Sequence, residues 1–244
     1  MRLIITRPLD DTVETISRLK VLGHEGIASP LLSIEAIPGC QIPEKAWQAI
    51  LVTSANGVRA LAHMQGAPKL GHVPLLAVGE ASANAANETG FTQVQSASGD
   101  MSDLVALANS ALSPDKGPLL YLSGTVTSGD LKGELEAAGF DVHRAMIYQA
   151  TAASALPEVA LAALAGGQVD GVALFSRRSG EIWVKLAKDA GLSAEAASLT
   201  HYCLSPAVAA AIEKNWPENV AKPALSVAPT MDLSGFIESL NQTP

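Results

Sequence analysis

The chain has 244 residues, 48% of them hydrophobic, and a formal net charge of -8, enough apolar material for one large domain or two compact ones. No apolar run approaches the roughly 20 residues of a membrane span, and the amino terminus MRLIITRPLDD has no cationic stretch followed by a cleavage site, so a cytoplasmic protein with no membrane contact is expected. The acidic balance argues against nucleic acid, whose phosphates need a basic face.

The cysteines, Cys40 and Cys203, stand far apart with no CxxC pairing, so they read as reduced packing residues. The histidines (His24, His63, His72, His143 and His201) are scattered without metal-ligand spacing, and no metal site is expected.

Along the chain, apolar runs of strand length alternate with helical spacing. Leu3 to Thr6 reads as a strand ending at Arg7-Pro8, and Val13, Ile16, Leu19 and Leu22 recur at helical spacing until Gly23. Ile27 to Ile37 reads as one extended run ending at Pro38-Gly39. Ile50 to Thr53 is a strand followed by a helix marked by Val58, Leu61, Ala62 and Met64. Leu75 to Val78 leads through Gly79-Glu80-Ala81-Ser82 into an alanine-rich helix that Gly90 ends. Strands regularly followed by helices predict parallel sheets covered on both faces.

The order of elements also occurs twice. A shift of about 116 to 130 residues, with the drift absorbed in loops, places Lys20 to Gly26 on Glu136 to Val142, Ile50 to Ser54 on Val172 to Ser176, Leu76 to Gly79 on Tyr202 to Ser205, and Leu104 to Leu112 on Leu233 to Leu240. The chain therefore reads as a duplicated α/β unit.

In open parallel sheets ligands sit beyond the carboxyl ends of the strands, where the turns into helices present free backbone N–H groups and the positive end of the helix dipole. Such turns favour anions. Thr53, Ser54, Asn56 and Gly57 form one, with Ser54 or Asn56 able to cap the helix; Gly79 to Ser82, Ser123 to Gly129, Ser176 to Gly180 and Ser205 to Ala207 are the equivalents. None is a GxGxxG or GxxxxGK[ST] motif, so neither a dinucleotide nor a P-loop triphosphate is supported. The candidate binding residues from these turns are Thr53, Ser54, Asn56, Gly79, Ser82, Ser123, Gly124, Ser176, Arg177, Arg178 and Ser205, joined by Arg7 at the end of the first strand. Lys20, Lys45, Lys132, Lys185 and Lys188 fall at expected helical positions and read as solvated faces. Glu80 is either a general base or a favourable charge near a helix start.

The ordered set of ITRP (Ile5 to Pro8), TSANGVRAL (Thr53 to Leu61), AVGEASA (Ala77 to Ala83), the segment ending IYQAT (Ile147 to Thr151), LSPAVAAAI (Leu204 to Ile212) and PTMDL (Pro229 to Leu233) resembles the uroporphyrinogen-III synthase family over nearly the whole chain. The resemblance implies two similar α/β domains, each with a parallel sheet flanked by helices, joined by a two-stranded antiparallel connector. Residues 1–34 plus 152–244 would form a discontinuous domain and residues 38–147 an inserted one, with connectors at about Leu32 to Pro38 and Met146 to Ala152.

The implied reaction is dehydration and ring closure of hydroxymethylbilane, a linear tetrapyrrole with eight carboxylates, with inversion of the last pyrrole ring and no cofactor or metal. Hand-over from hydroxymethylbilane synthase and a monomeric state accompany that reading. The resemblance places Tyr148 in the position of the family's interdomain tyrosine, as the acid assisting departure of hydroxide. Where the family usually shows a Thr-Ser-Pro type turn this chain has Phe175-Ser176-Arg177-Arg178, so a threonine hydroxyl does not carry over to Phe175 and an arginine fork would take that carboxylate. Two other classes share the plan: a periplasmic-type binding module, which would carry a secretion signal, and a cytoplasmic metabolite sensor without chemistry.

Overall fold

The computed structural model describes residues 1–127 and 129–241; Ser128, inside the Ser123 to Gly129 turn, lies outside the described residues. The chain runs β1 (Arg2–Ile5), α1 (Leu9–Val21), β2 (Glu25–Ala28), β3 (Leu32–Ala36), β4 (Ala49–Val52), α2 (Ala55–His63), β5 (Leu75–Ala77), α3 (Glu80–Glu88), β6 (Val94–Ser96) and α4 (Met101–Ala111). It continues through β7 (Leu119–Gly124), α5 (Leu131–Ala137), β8 (Val142–Ala152), α6 (Glu158–Ala165), β9 (Gly171–Leu174), α7 (Arg177–Asp189), α8 (Ser193–Ala197), β10 (Thr200–Cys203), α9 (Pro206–Asn215), β11 (Ala224–Val227) and α10 (Leu233–Asn241).

Two compact units result, one of Met1–Ser33 with Thr151–Pro244 and one of Ile34–Ala150. In the first, the described strands pair in the order β11-β10-β9-β1-β2, all parallel. In the second the order is β3-β8-β7-β4-β5-β6, parallel from β8 to β6. The run expected from Ile27 to Ile37 is two strands, β2 ending at Ala28 and β3 starting at Leu32, and the two belong to different sheets. β3 lies along β8 in the opposite direction: the Ile37 amide donates to the Ile147 carbonyl at 3.0 Å and the Ala153 amide to the Leu31 carbonyl at 3.0 Å.

The duplication is visible strand by strand. Reading β2-β1-β9-β10-β11 against β8-β7-β4-β5-β6 gives the same spatial order in both sheets, with α1, α7, α9 and α10 following the strands that correspond to those before α5, α2, α3 and α4. Each central strand is buried on both faces, as β4 (AILV) and β9 (GVAL) are at every residue, which is why they read as unbroken apolar runs. The pleat sorts their side chains. In the first unit Ile4, Val172, Leu174 and Cys203 pack with residues of α6, α7 and α9, while Leu3, Ile5, Ala173 and Tyr202 pack with Leu19 of α1 and Phe236 of α10. In the second, Ile50, Val52, Leu120 and Leu122 face α2 and α3, and Ala49, Leu51, Leu119 and Tyr121 face α4 and α5. Gly23 and Gly139, matched by the repeat, end α1 and α5 with φ of 77° and 94°, left-handed values that side chains with a Cβ resist.

Lys45 departs from its expected helical position. It lies in an irregular segment before β4, with its ammonium 5.6 Å from the Trp47 ring centroid; the other four lysines lie in α1, α5 and α7.

Candidate active site

Because every pairing within β4 to β8 is parallel, the carboxyl ends of these strands share one edge of the second unit's sheet. At the end of β4, Ser54 caps α2, its hydroxyl accepting the Asn56 amide at 3.2 Å. Asn56 is thus the second helical residue and not the cap. Gly79 caps α3 with extended backbone and no side-chain bond, and Ser82 is buried in the first turn. Glu80 opens α3, where its charge complements the helix dipole, and it accepts the Ser98 hydroxyl at 3.0 Å.

The end of β7 carries a denser constellation. Thr53 Oγ1 and the Tyr121 hydroxyl share a hydrogen bond of 3.2 Å. Arg144 on β8 donates from Nε to Ser123 Oγ at 2.8 Å and from one terminal nitrogen to the carbonyls of Gly124 at 2.8 Å and Thr125 at 3.3 Å. Ser123 is 1% exposed, so this turn hydroxyl is occupied inside the protein. Tyr148 lies against Gly124, a Cβ on which would stand 2.8 Å from the ring's Cε2, and the Ser54 side chain and the Gly124 backbone both favour its phenolate form. Burial pushes the Tyr148 phenol above its usual 10, with Tyr121 adding to the rise and Ser54 and Gly124 only partly offsetting it. The group therefore keeps its proton across the physiological range.

A cavity of about 180 Å³ opens beside this cluster, lined by Thr53, Val78, Asp100, Met101, Tyr121, Thr127 and Gly129. Tyr121 and Arg144 were not among the residues marked in the sequence. Tyr121 carries a faint signal, a lone hydroxyl in the apolar run LLYLSG two residues before Ser123; Arg144 carries none, since its partners come from the neighbouring strand.

The first unit has the equivalent edge. Ser176 and Ser179 form a reciprocal capping box at the start of α7, the Ser179 amide donating to Ser176 Oγ at 3.1 Å and the Ser176 amide to Ser179 Oγ at 3.0 Å. Arg177 and Arg178 are the first two residues of that helix, and Ser205 caps α9 without a side-chain bond. Arg7 is engaged internally: its guanidinium pairs with Asp11 at 3.3 Å, donates to Thr15 Oγ1 at 3.2 Å and lies 4.9 Å from the Phe175 ring centroid. Phe175 in turn packs edge-on against Phe236 at 5.1 Å, so the position where the resemblance would put a threonine hydroxyl is part of an apolar cluster.

A second cavity, about 230 Å³, is lined by Glu213, Trp216, Lys222, Pro223 and Leu225. It sits at the end of α9 and the start of β11, the amino edge of the sheet, away from the helix starts and from every candidate residue.

A family model described as uroporphyrinogen-III synthase HemD matches residues 13–230. Among solved structures, the chain is similar to a uroporphyrinogen-III synthetase from Helicobacter pylori, at 16% identity, 100% of both chains covered and a TM-score of 0.63. It is also similar to a mutant uroporphyrinogen III synthase from the extremely thermophilic bacterium Thermus thermophilus, at 20% identity, 100% of both chains covered and a TM-score of 0.54. At such identities these two likenesses concern the fold. No curated protein sequence matches the chain.

Proposed function

Because this chain belongs to the uroporphyrinogen-III synthase family, whose model spans residues 13–230, we propose that it closes linear hydroxymethylbilane to uroporphyrinogen III, with loss of water and inversion of the terminal pyrrole ring. The family match over most of the chain carries this conclusion. The reaction is a cyclising dehydration in tetrapyrrole biosynthesis. No helix among the described residues is long and apolar enough to cross a membrane. We place the reaction in the cytoplasm, with the substrate handed over by hydroxymethylbilane synthase.

Loss of the hydroxymethyl oxygen as water requires one proton and leaves an electrophilic azafulvene. The substituted carbon of the terminal ring attacks it to give a spiro intermediate, which fragments and recloses with that ring reversed; loss of a ring proton completes the balance. Uncatalysed closure gives the symmetrical isomer, so the protein's chief task is geometric, holding the chain bent so that the spiro path outruns direct closure. A hundredfold preference needs only about 2.7 kcal/mol between the two transition states.

In this reading Tyr148 gives the proton to the departing hydroxyl. Its support is chemical: a phenol kept neutral by burial and seated on the Gly124 backbone is a competent donor at neutral pH. The substrate's carboxylates would be taken by the helix starts of α2, α3, α7 and α9, where backbone N–H groups bind anions without side-chain charge, and by Arg177 and Arg178. Local field outweighs the net charge of -8 at such contacts.

The test is incubation with freshly made hydroxymethylbilane, oxidation of the products and separation of the porphyrin isomers. Type III product above the uncatalysed background is expected; type I alone would make the protein a binder. Tyr148→Phe should lower turnover while substrate binding persists, and wild-type turnover in that variant would remove Tyr148 from the role.

A further inference from the structure

The register between β7 and β8 breaks at one place. Leu119 to Ser123 pair with Val142 to Met146 one for one, but Gly124 pairs with Tyr148 and Ile147 is left as an extra residue, a β-bulge. Before the bulge the pleat alternates faces: Val142 packs with Leu119 and Tyr121, whereas Ala145 and Ile147 pack with Leu120 and Leu122. Without the extra residue Tyr148 would fall on the face opposite Ile147, since a shift of one residue flips every side chain. With it, Tyr148 packs on the same apolar cluster as Ile147, the face from which α2 and Ser54 come.

Gly124 is what allows the approach. A Cβ there would stand 2.8 Å from Tyr148 Cε2 and 2.9 Å from Cζ, closer than carbon atoms pack. The ring therefore lies directly on the glycine backbone, and its position follows that backbone. The same short segment, Ser123 to Thr125, is where Arg144 places all of its side-chain hydrogen bonds. The Thr125 amide also donates to the Tyr148 carbonyl at 3.1 Å, tying the segment to β8 beyond the bulge. Among the described residues Arg144 makes no ion pair, so its guanidinium fork is committed to two carbonyls and one hydroxyl. A fork with fixed geometry sets both carbonyls at once, which a lysine point charge cannot do.

We propose that Arg144 is a positioning residue for the Tyr148 phenol, acting through Gly124 on the far side of the β7 end, with the bulge at Ile147 as the element that brings the two together. By holding the Gly124 carbonyl, Arg144 fixes the Gly124–Thr125 peptide plane, whose Thr125 amide holds the Tyr148 carbonyl, and with it the glycine backbone on which the ring lies. This inference rests on the reading of Tyr148 as proton donor, and its experiment separates the two.

Three variants are compared with wild type: Arg144→Met, which keeps the stem and removes the donors; Arg144→Lys; and the double variant Arg144→Met with Tyr148→Phe. Arg144→Met is expected to lower kcat roughly 10- to 100-fold, the scale of a misplacement near 1 Å, with little change in KM. Arg144→Lys should recover part of the loss. In the Tyr148→Phe background Arg144→Met should cost almost nothing more, because two residues acting through one contact are not additive. The independent readout is the tyrosinate absorbance of Tyr148, taken as the difference between proteins with and without that residue; in Arg144→Met its midpoint should move to higher pH as the Gly124 backbone, which favours the phenolate, loosens beneath the ring. An unmoved titration with unchanged kcat would overturn the proposal, as would fully additive losses in the double variant. Should Tyr148→Phe alone keep wild-type turnover, the proton-donor reading falls, while the titration still decides whether Arg144 positions the ring. If Arg144→Met does not fold, Arg144→Lys carries the same titration and kinetic comparison.

Discussion

Lowering the pH from about 7.5 to 5 should weaken the unit containing His201 by about 2 kcal/mol, because that ring is built into the core as a neutral group. His201 is 0% exposed. Its Nε2 accepts the Trp183 indole N–H at 2.8 Å, and an indole nitrogen can only donate, so Nε2 carries no proton. The proton is on Nδ1, facing the Leu199 carbonyl at 3.2 Å, and Trp216 closes the site edge-on at 5.4 Å. A second proton on Nε2 would be buried without solvent and would break the Trp183 bond. Burial accordingly lowers the His201 pKa from 6.5 to about 4, the Leu199 bond offsetting only part of the effect. In the unfolded chain the ring takes its proton near 6.5, in the folded protein only near 4, so between those values the unfolded state holds the extra proton and stability falls with pH. The loss is negligible at about pH 7.5, about 2 kcal/mol at pH 5 and about 3 kcal/mol below pH 4. Urea unfolding of wild type and His201→Gln at several pH values measures it: the variant, with no imidazole to charge, should lack this part of the acid slope. Proton NMR of the ring resonances supplies the direct check. A His201 midpoint near 6.5, or equal acid slopes in the two proteins, would refute the reasoning.

Burial and the nearby Glu213 push the Cys203 thiol up to about 12, while Cys40 is only partly buried; a thiol reagent should label Cys40 in the native protein and Cys203 only after unfolding, and two equally fast thiols would count against this packing. Gly124→Ala should force the Tyr148 ring off its seat, lowering turnover at least as much as Tyr148→Phe with little effect on KM; unchanged kinetics would mean the close approach is not used. Removing both charges in Arg177→Gln with Arg178→Gln should raise KM at low ionic strength and lose that difference in high salt, as expected for screened charge attraction. An unchanged KM at low ionic strength would remove these arginines from substrate binding.

Much of the architecture is carried by local pattern. Apolar runs of four residues, helical spacing behind them and a glycine at the helix end are properties of adjacent residues. They placed β1, β4, β5 and β9 and the helices that follow, and they exposed the duplication, because both copies obey the same local rules. The turns at Ser54, Gly79, Ser176 and Ser205 were legible for the same reason, as a helix start needs a cap within its own first turn. Local pattern misled where short-range cues had no neighbour to test them. Lys45 sits near apolar residues at plausible helical spacing but belongs to an irregular segment, and Ile27 to Ile37 reads as continuous although its halves pair in different sheets.

What the amino-acid sequence determined alone is thus the alternation of strands and helices, its repetition and the positions of the helix starts, all set by interactions over a few residues. Only the tertiary structure decided which strands lie side by side, with β1 joining β9 across some 170 residues, and that the single extra residue at Ile147 turns Tyr148 toward Ser54. It also decided that Arg144 grips the end of a neighbouring strand and that His201 stays neutral. Each of these depends on atoms brought together by pairing and packing between distant segments, and the energies that select them do not exist until the sheets have formed.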